Sequence, residues 1–319
     1  MKLLVLGGTV FLGRHVAEIA LARGHEVTLF NRGRTRPELF PDAERLAGDR
    51  DSALDALRGR SWDAVVDPSG YVPRVVGQTA DLLRDAVGTY VFISSASVYP
   101  LPSEDKSETG PVLPLEDPTT EDIRANYGAL KAACEDLLTG CFGERALVVR
   151  SGLIVGPHDP SGRFTYWALR LGRGGEVLGP GDPDRPVQFI DARDQAAWIV
   201  DMAQAGQGGT FNVTGPATRL PFASLLARAE GPVTWVSDEF LQEQGVQAYS
   251  EMPLWVPPAV GSLNVPIERA LAAGLRFRDV DDTIRDVRAW TESDRDFPRG
   301  SAMAPEREAE LLELWRARR

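Results

Sequence analysis

The first thirty residues carry the pattern that most restricts the fold of this chain. An apolar run at residues 2–6 leads into a glycine-rich turn, a helical stretch at about residues 14–23 and a second apolar run at residues 26–30. Two strands joined through a helix within roughly 30 residues form a β-α-β unit, and such a crossover connects parallel strands. We therefore predict that the chain begins with half of a parallel, helix-covered sheet.

The same alternation continues through the first half of the chain. Strand-like runs recur at residues 64–67, 91–95 and 146–150, separated by helical patterns at 73–86 and 127–138. This alternation predicts an α/β fold with a doubly wound parallel sheet of the Rossmann type. Beyond residue 160 the pattern becomes mixed. We therefore expect a sheet domain of residues 1–160, to which 187–215 returns, and a smaller mixed α/β lobe of residues 161–186 and 216–319.

Composition narrows the range of partners. The chain carries 35 basic and 46 acidic residues, a net charge of −11, which argues against nucleic acids and anionic membranes as partners. No apolar run reaches the roughly 18 residues needed to span a bilayer and no leader-like segment opens the chain, so we expect a cytoplasmic protein. Cys134 and Cys141 belong to no CxxC or Cys/His cluster, and we expect no metal site.

The glycine-rich turn is the candidate site for a dinucleotide cofactor. Glycines between a strand and a helix let the backbone approach a pyrophosphate, which the helix N-terminus attracts. Val10 stands where a further glycine is usual, and its side chain would crowd the closest phosphate contact. A purely structural turn is the alternative. The candidate contacts in this loop are Gly7, Thr9, Val10, Phe11, Leu12 and Gly13.

The end of the second strand bears on the choice between NAD and NADP. An acid at this position normally binds the ribose 2′-hydroxyl, whereas this chain has Asn31, Arg32 and Arg34. Arginine suits a 2′-phosphate, so NADP is favoured over NAD, with two solvated arginines as the alternative. Further candidate cofactor contacts follow the next two strands. They are Asp49 (to the adenine), Arg50, and Asp67, Ser69 and Gly70 (to the adjacent ribose).

A tyrosine and a lysine four residues apart indicate proton-transfer chemistry. Tyr127 and Lys131 share one face of a predicted helix, and a neighbouring ammonium favours the phenolate form of a tyrosine. Ser95 ends an apolar strand upstream and can hydrogen-bond a carbonyl or hydroxyl of a substrate. Such a set could move a proton while a nicotinamide moves a hydride. The alternative is that Tyr127 packs on a surface helix while Lys131 is solvated.

These motifs together resemble the extended short-chain dehydrogenase/reductase superfamily, in its NAD-dependent epimerase/dehydratase group. The resemblance rests on the glycine loop, on the Ser95 and Tyr127 motifs and on residues 150–157 and 187–191. It implies that Ser95, Tyr127 and Lys131 are catalytic, that Lys131 also holds the nicotinamide ribose, and that the protein forms a homodimer. Within the group, the loop and the strand end at residues 30–33 are similar to the chloroplast stem-loop RNA-binding proteins and their bacterial relatives.

The resemblance also suggests which substrate contacts and reactions to expect. Substrates of the superfamily lie between the lobes, which makes His158, Arg163, Arg185 and Gln188 candidate contacts, although Arg185 could equally pair with a nearby loop aspartate. Ser95 is followed by alanine and serine rather than by the Asp-Glu pair of sugar dehydratases, so dehydration is disfavoured. We therefore expect an NAD(P)-dependent oxidoreductase or epimerase acting on a hydroxyl or keto group, for example of a nucleotide sugar. A non-catalytic nucleotide-sensing or RNA-associated protein is the alternative.

Overall fold

The computed structural model describes residues 1–297, 299–300 and 302–318. In the first half of the chain the strands and helices are β1 (Lys2–Leu6), α1 (Phe11–Ala22), β2 (Glu26–Asn31), β3 (Glu44–Ala47), β4 (Trp62–Asp67), α2 (Pro73–Leu83), β5 (Val87–Ser95), α3 (Ile123–Phe142) and β6 (Ala146–Ser151). Those that follow are β7 (Ile154–Val155), α4 (Arg163–Leu171), β8 (Val177–Pro180), β9 (Pro186–Val187), β10 (Ile190–Asp191), α5 (Ala192–Gln204), β11 (Gly209–Val213), β12 (Leu220–Pro221), α6 (Phe222–Leu226), β13 (Val233–Val236), α7 (Asp238–Glu243), α8 (Glu268–Ala272), α9 (Val280–Ser293) and α10 (Pro305–Ala317).

Seven parallel strands form one sheet in the order β11-β6-β5-β4-β1-β2-β3. The apolar runs predicted from the sequence form its central strands, whose side chains are buried on both faces as parallel sheets require. Helix α1 packs against α5, and α2 packs against α3. The predicted doubly wound sheet is confirmed. Its strand order reverses between β1 and β4, and the carboxyl ends of strands at such a switch point form a ligand-binding crevice.

The chain divides into two compact units. Unit 1 consists of Met1–Gly152, Ala192–Thr214 and Val265–Arg276, and unit 2 of Leu153–Asp191, Gly215–Asn264 and Phe277–Arg319. Residues 153–160 and 187–191, which the sequence pattern assigns to the sheet domain, thus belong to unit 2. The segment Val265–Arg276, which contains α8, belongs to unit 1, although the sequence pattern assigns it to the smaller lobe.

Unit 2 contains three two-stranded sheets around an aromatic core. The strand pairs are β7 with β10, β9 with β12, and β8 with β13. Trp167, Phe164, Phe222, Phe240 and Trp255 are all fully or almost fully buried there. The sequence does not predict β8 or β13, because β8 lies in a stretch rich in glycine and proline that reads as a loop. Residues 187–191, which belong to the family resemblance, are divided between β9 and β10.

Candidate active site

The glycine loop between β1 and α1 adopts a backbone that only glycine tolerates well. Gly7 and Gly8 have φ values of 121° and 87°. A Cβ on Gly8 would lie 2.6 Å from Leu29 Cδ2, and a Cβ on Gly13 would lie 3.1 Å from the backbone nitrogen of Gly8. The loop therefore packs tightly against β2 and against the first turn of α1.

The N-terminus of α1 presents its backbone amides without a capping side chain. Val10 is the N-cap residue, it makes no side-chain capping hydrogen bond, and no acid lies in the first turn. Its φ and ψ of −130° and 137° are ordinary extended values, so the position does not require glycine, and the side chain is 46% exposed. Thr9 and Leu12 are buried.

These observations fit a bound dinucleotide. The first N–H groups of a helix have no intrahelical acceptor and attract an anion such as a pyrophosphate. Phe11, the first residue of α1, has a φ of 36°, a strained value for a non-glycine residue that is typical of ligand-binding turns. The backbone of this loop is therefore suited to hold an anion, and the Val10 side chain within it is exposed.

Asn31 connects the end of β2 to the glycine loop. Its side-chain amide donates to the carbonyl oxygen of Gly7 (2.8 Å) and its side-chain oxygen accepts from the backbone N–H of Gly33 (2.8 Å). Arg32 and Arg34 follow it and are exposed. Neither arginine makes an ion pair with any residue that the structure describes. The strand end thus carries two available guanidinium groups and no carboxylate.

Asp67 and Arg50, both predicted to contact the cofactor, instead bind each other. Asp67 is fully buried, accepts two hydrogen bonds from Arg50 (2.6 and 2.8 Å) and a third from the Tyr90 hydroxyl (2.9 Å). Burial by itself raises the pKa of Asp67, but the guanidinium of Arg50 reverses the effect and lowers it. The assignment of Asp67 to a ribose is therefore wrong, because its carboxylate is saturated inside the protein.

The neighbouring predicted contacts also make internal hydrogen bonds. The Ser69 hydroxyl donates to the carbonyl oxygen of Leu6 (3.0 Å) and so connects the ends of β4 and β1. Asp49 accepts from the backbone N–H of Asp51 (3.1 Å) in a turn. Gly70 is buried, and a Cβ there would lie 2.7 Å from Phe92 and 2.9 Å from an Asp67 oxygen. These residues support the carboxyl edge of the sheet around the switch point.

Ser95 lies where it was predicted, at the carboxyl end of β5. A 3₁₀ turn, Ala96–Val98, follows directly, and the Ser95 hydroxyl oxygen accepts from the backbone N–H of Ser97 (3.1 Å). The Ser95 hydroxyl can also donate to the Ser97 hydroxyl (3.1 Å). Ser95 is half-buried, so its hydroxyl is fixed by the turn at the edge of the sheet.

Tyr127 and Lys131 lie on α3, which begins one turn earlier than the sequence predicts. Asp122 caps the helix by accepting from two backbone amides, and Asn126 interrupts the helical backbone immediately before Tyr127. Gly128 allows α3 to approach the 3₁₀ turn, because a Cβ there would overlap the carbonyl oxygen of Ser97. This close approach brings the helix that carries Tyr127 against the turn that carries Ser95.

The ammonium group of Lys131 is buried rather than solvated. Its Nζ donates to the carbonyl oxygens of Gly70 (2.6 Å) and Ile93 (2.8 Å), and it lies 6.0 Å from the ring centroid of Tyr127. Burial lowers the pKa of Lys131 to about 8, against the opposing charge of Asp67. The surface-lysine alternative is thus wrong, and at neutral pH the ammonium remains mostly charged beside Tyr127.

Two further buried side chains hold α3 in place. Glu135 on α3 accepts a hydrogen bond from Ser94 and forms an ion pair with Arg150 of β6 (2.7 Å), and both side chains of the pair are less than a tenth exposed. Arg150 also donates to the Tyr99 hydroxyl (2.9 Å). Helix α3 is therefore attached to β5 and β6 by buried polar contacts.

Tyr71 is a residue of this region that the sequence analysis did not single out. It follows Gly70 and is 40% exposed, and its ring centroid lies 4.7 Å from Lys131 Nζ and 6.4 Å from the ring of Tyr127. The available signal was an aromatic residue that directly follows Gly70, shortly after the end of β4.

The proposed substrate contacts all lie in unit 2. His158 packs against Trp290, with ring centroids 5.3 Å apart, and Gln188 is half-buried between β9 and β10. The guanidinium of Arg163 lies 5.4 Å from the ring of Tyr249. His158 thus contributes to an aromatic cluster, whereas Arg163 starts helix α4.

Arg185 was expected to meet a substrate anion or to pair with Asp182 or Asp184. Its ion pair is with Asp238 of α7 (2.6 Å) rather than with either loop aspartate, and its contact with a substrate stays a prediction. Asp238 also accepts from the indole of Trp255 (2.7 Å). Arg185 and Asp238 are 53 residues apart, so the local charge pattern could not reveal this pairing.

The described part of the chain also bears on metal sites and membrane spans. Over residues 1–297, 299–300 and 302–318, there is no group of three or more His, Cys, Asp or Glu side chains that could hold a metal ion. In the same part of the chain, none of the helices combines the length and the apolar character required to cross a bilayer.

The chain is similar in sequence to known proteins. The family model described as the NAD dependent epimerase/dehydratase family matches residues 3–214. The epimerase family protein SDR39U1 of Bos taurus is 28% identical over 301 residues, which cover 87% of this chain and 95% of the bovine protein. The chloroplast stem-loop binding protein of 41 kDa b from Arabidopsis thaliana is 28% identical over 190 residues, 54% of this chain and 47% of the plant protein.

Solved structures share the fold at lower identity. The Bordetella bronchiseptica enzyme WbmH in complex with NAD+ superimposes with a TM-score of 0.65 and 18% identity, over 93% of this chain and 99% of that one. A Thermus thermophilus UDP-glucose 4-epimerase complex with NAD superimposes with a TM-score of 0.62 and 20% identity, over 91% of this chain and 99% of that one. The resemblance drawn from the motifs is thereby confirmed: the chain belongs to the NAD dependent epimerase/dehydratase family.

Proposed function

We propose that this protein is an NAD(P)-dependent epimerase or reductase that interconverts a hydroxyl and a keto group by hydride transfer. The observation that carries the proposal is the buried ammonium of Lys131, one helical turn after Tyr127 and held by two backbone carbonyls. A buried ammonium does little to stabilise the core of a parallel sheet, since burying a charge costs free energy. Titratable groups with a perturbed pKa in a ligand-binding crevice are typical of catalytic sites.

The roles of the three side chains follow from their chemistry. Tyr127 is the acid or base that exchanges a proton with the substrate oxygen, and Lys131 favours its phenolate form. The half-buried Ser95 hydroxyl, oriented by the following turn, hydrogen-bonds the same oxygen. When bound, the nicotinamide supplies the hydride acceptor or donor.

We propose that the preferred cofactor is NADP. The support is the exposed pair Arg32 and Arg34 at the end of β2, together with the absence of a carboxylate at that strand end. A guanidinium binds a phosphate through charge-assisted, bidentate hydrogen bonds, whereas it offers a ribose hydroxyl no comparable partner. The opposing consideration is that the similar solved structures described above are complexes with NAD.

For the substrate we propose a nucleotide sugar. The support is that one solved structure of the same fold is named for a nucleotide sugar and another contains the nucleotide UDP. One is a UDP-glucose 4-epimerase, and the other is the Bordetella bronchiseptica enzyme WbmG, in complex with NAD and UDP. Dehydration is disfavoured because Ala96 and Ser97 follow Ser95 and provide no carboxyl group for the elimination of water.

Calorimetric titration of the purified protein with NAD, NADH, NADP and NADPH tests the cofactor assignment. Arg32→Ala/Arg34→Ala is expected to weaken NADP binding about tenfold or more and NAD binding by no more than a few-fold. The control is Arg58→Ala/Arg60→Ala, which removes the same charge from exposed positions just before the amino end of β4. Equal losses for both cofactors would contradict the 2′-phosphate assignment.

Turnover of a panel of nucleotide sugars tests the reaction. Product epimers are detected by proton NMR, and net reduction is detected by the nicotinamide absorbance. Tyr127→Phe should abolish turnover while it leaves cofactor affinity within a few-fold, since only the proton-transfer group is removed. A Tyr127→Phe variant that keeps full activity refutes the mechanism. If none of the four nucleotides binds, the non-catalytic, RNA-associated function becomes the better hypothesis.

A further inference from the structure

The environment of Lys131 contains two aromatic rings and few compensating charges. Its Nζ lies 4.7 Å from the ring centroids of both Tyr71 and Phe92. Phe92 belongs to the buried core of β5, whereas Tyr71 is 40% exposed at the end of β4. The ammonium is thus enclosed by two rings and by the two carbonyl oxygens that accept its hydrogen bonds.

Charged neighbours do not by themselves explain why the ammonium remains there. Asp67, at the end of β4, and Glu135, on the same helix, favour its charge and Arg50 opposes it, while burial raises the pKa of the neighbouring Cys134 thiol and keeps it uncharged. Asp67 is paired with Arg50, and Glu135 is paired with Arg150. Each carboxylate is therefore largely compensated by its own guanidinium, and the π faces of the rings provide the remaining stabilisation of the cation.

We propose that Tyr71 is a positioning residue of this site, whose ring keeps Lys131 in its ammonium form beside Tyr127. The catalytic meaning of this inference rests on the proposed function, but the interaction between the ring and the ammonium does not. Partial burial, and then the Asp67 carboxylate, raises the pKa of Tyr71, so its ring stays neutral. The Tyr71 hydroxyl makes no hydrogen bond with the residues that the structure describes, so its ring is the part that acts.

The chain offers a direct measurement because it contains only three lysines, at positions 2, 106 and 131. Lysine labelled with ¹³C at Cε gives three NMR signals, and Lys131→Met identifies the one from Lys131. A pH titration of the cofactor-free protein then reports the pKa of Lys131 in the wild type and in two variants. Tyr71→Leu keeps a large apolar side chain at this position but removes the π face. Tyr71→Phe keeps the ring and removes only the hydroxyl.

The expected midpoint for the wild type is a pKa of about 8. A cation–π contact favours the charged form by about 0.5 to 1 kcal/mol, so Tyr71→Leu should lower the midpoint by about 0.5 unit. Tyr71→Phe should leave it within about 0.2 unit, because phenylalanine also has a negative π face. The inference fails if the leucine variant titrates like the wild type, or if the phenylalanine variant shifts as much as the leucine variant.

The design separates this inference from the proposed function. A shift in Tyr71→Leu in a protein that binds none of the four nicotinamide nucleotides would support the role of Tyr71 and refute the enzyme assignment. Normal nucleotide binding without a shift would refute only the role of Tyr71. Circular dichroism checks folding, which the exposed position of Tyr71 should preserve, and Tyr71→Met replaces the leucine variant if that variant does not fold.

Discussion

Replacing Gly128 by alanine should loosen the contact on which the arrangement of Ser95 and Tyr127 depends. Gly128 directly follows Tyr127 on α3, and an added Cβ would overlap the carbonyl oxygen of Ser97 and lie 3.0 Å from Leu113 Cδ1. Because the overlap is with backbone, no side-chain rotation can relieve it. Either α3 or the 3₁₀ turn after Ser95 must move.

The size of the effect can be judged against a second glycine in the same helix. Overpacking a close contact costs about 1 to 3 kcal/mol, from which the gain of up to about 1 kcal/mol for replacing a helical glycine by alanine is subtracted. Gly128→Ala should therefore destabilise the protein by about 1 to 2 kcal/mol. Gly140, also in α3, is exposed and has nothing within 4 Å of an added Cβ. Gly140→Ala should consequently stabilise it by about 0.5 to 1 kcal/mol.

Hydrogen exchange of peptides from α3, measured across a urea series, reports the free energy of opening this helix in each variant. The two identical chemical changes should shift this free energy in opposite directions, with a difference of about 1.5 to 3 kcal/mol. If Gly128→Ala is as stable as Gly140→Ala, α3 does not depend on its close approach to Ser97, and this account of the site geometry is refuted.

Two further predictions concern buried side chains outside the proposed reaction. Glu308 of α10 forms a buried ion pair with Arg170 of α4 (2.6 Å) and accepts a hydrogen bond from the backbone N–H of Leu178. Glu308→Ala should destabilise unit 2 by about 3 to 5 kcal/mol, because it leaves the buried guanidinium without its carboxylate. An unchanged urea midpoint would contradict this. Burial raises the pKa of the Cys134 thiol to about 12, whereas Cys141 is half-buried. A thiol reagent at pH 8 should thus modify one cysteine in the native protein and none in Cys141→Ser, and rapid labelling of that variant would refute the prediction.

Local patterns predicted the elements of the sheet because strand and helix periodicities are properties of neighbouring residues. The apolar run at residues 2–6 coincides with β1, and the glycines that follow it adopt the positive φ values that a strand-to-helix turn needs. Four-residue spacing likewise predicted that Tyr127 and Lys131 share a helix. Helix boundaries were less well predicted. The added first turn of α3 depends on the Asp122 cap and on the interruption at Asn126.

The partners of the charged residues could not be predicted in this way. Arg50 and Asp67 each follow a strand and look available to a ligand, yet the fold joins them across 17 residues in a buried pair. Arg185 has two aspartates within three residues but pairs with one 53 residues away. A buried charge needs a partner of opposite charge, and packing can bring that partner from any part of the chain. The distance between two residues in the sequence therefore says little about whether they pair.

The sequence alone determines that this protein has a parallel sheet, a glycine-rich turn after the first strand and a Tyr-Lys pair on one helix, since each of these features depends on residues close together in the chain. Only the tertiary structure decided that Lys131 is buried between two carbonyls and two rings, that Tyr71 faces it, and that Asp67 is unavailable to a cofactor. These outcomes depend on which strand ends meet at the carboxyl edge of the sheet, because burial and its effect on a charge arise only when distant segments pack together.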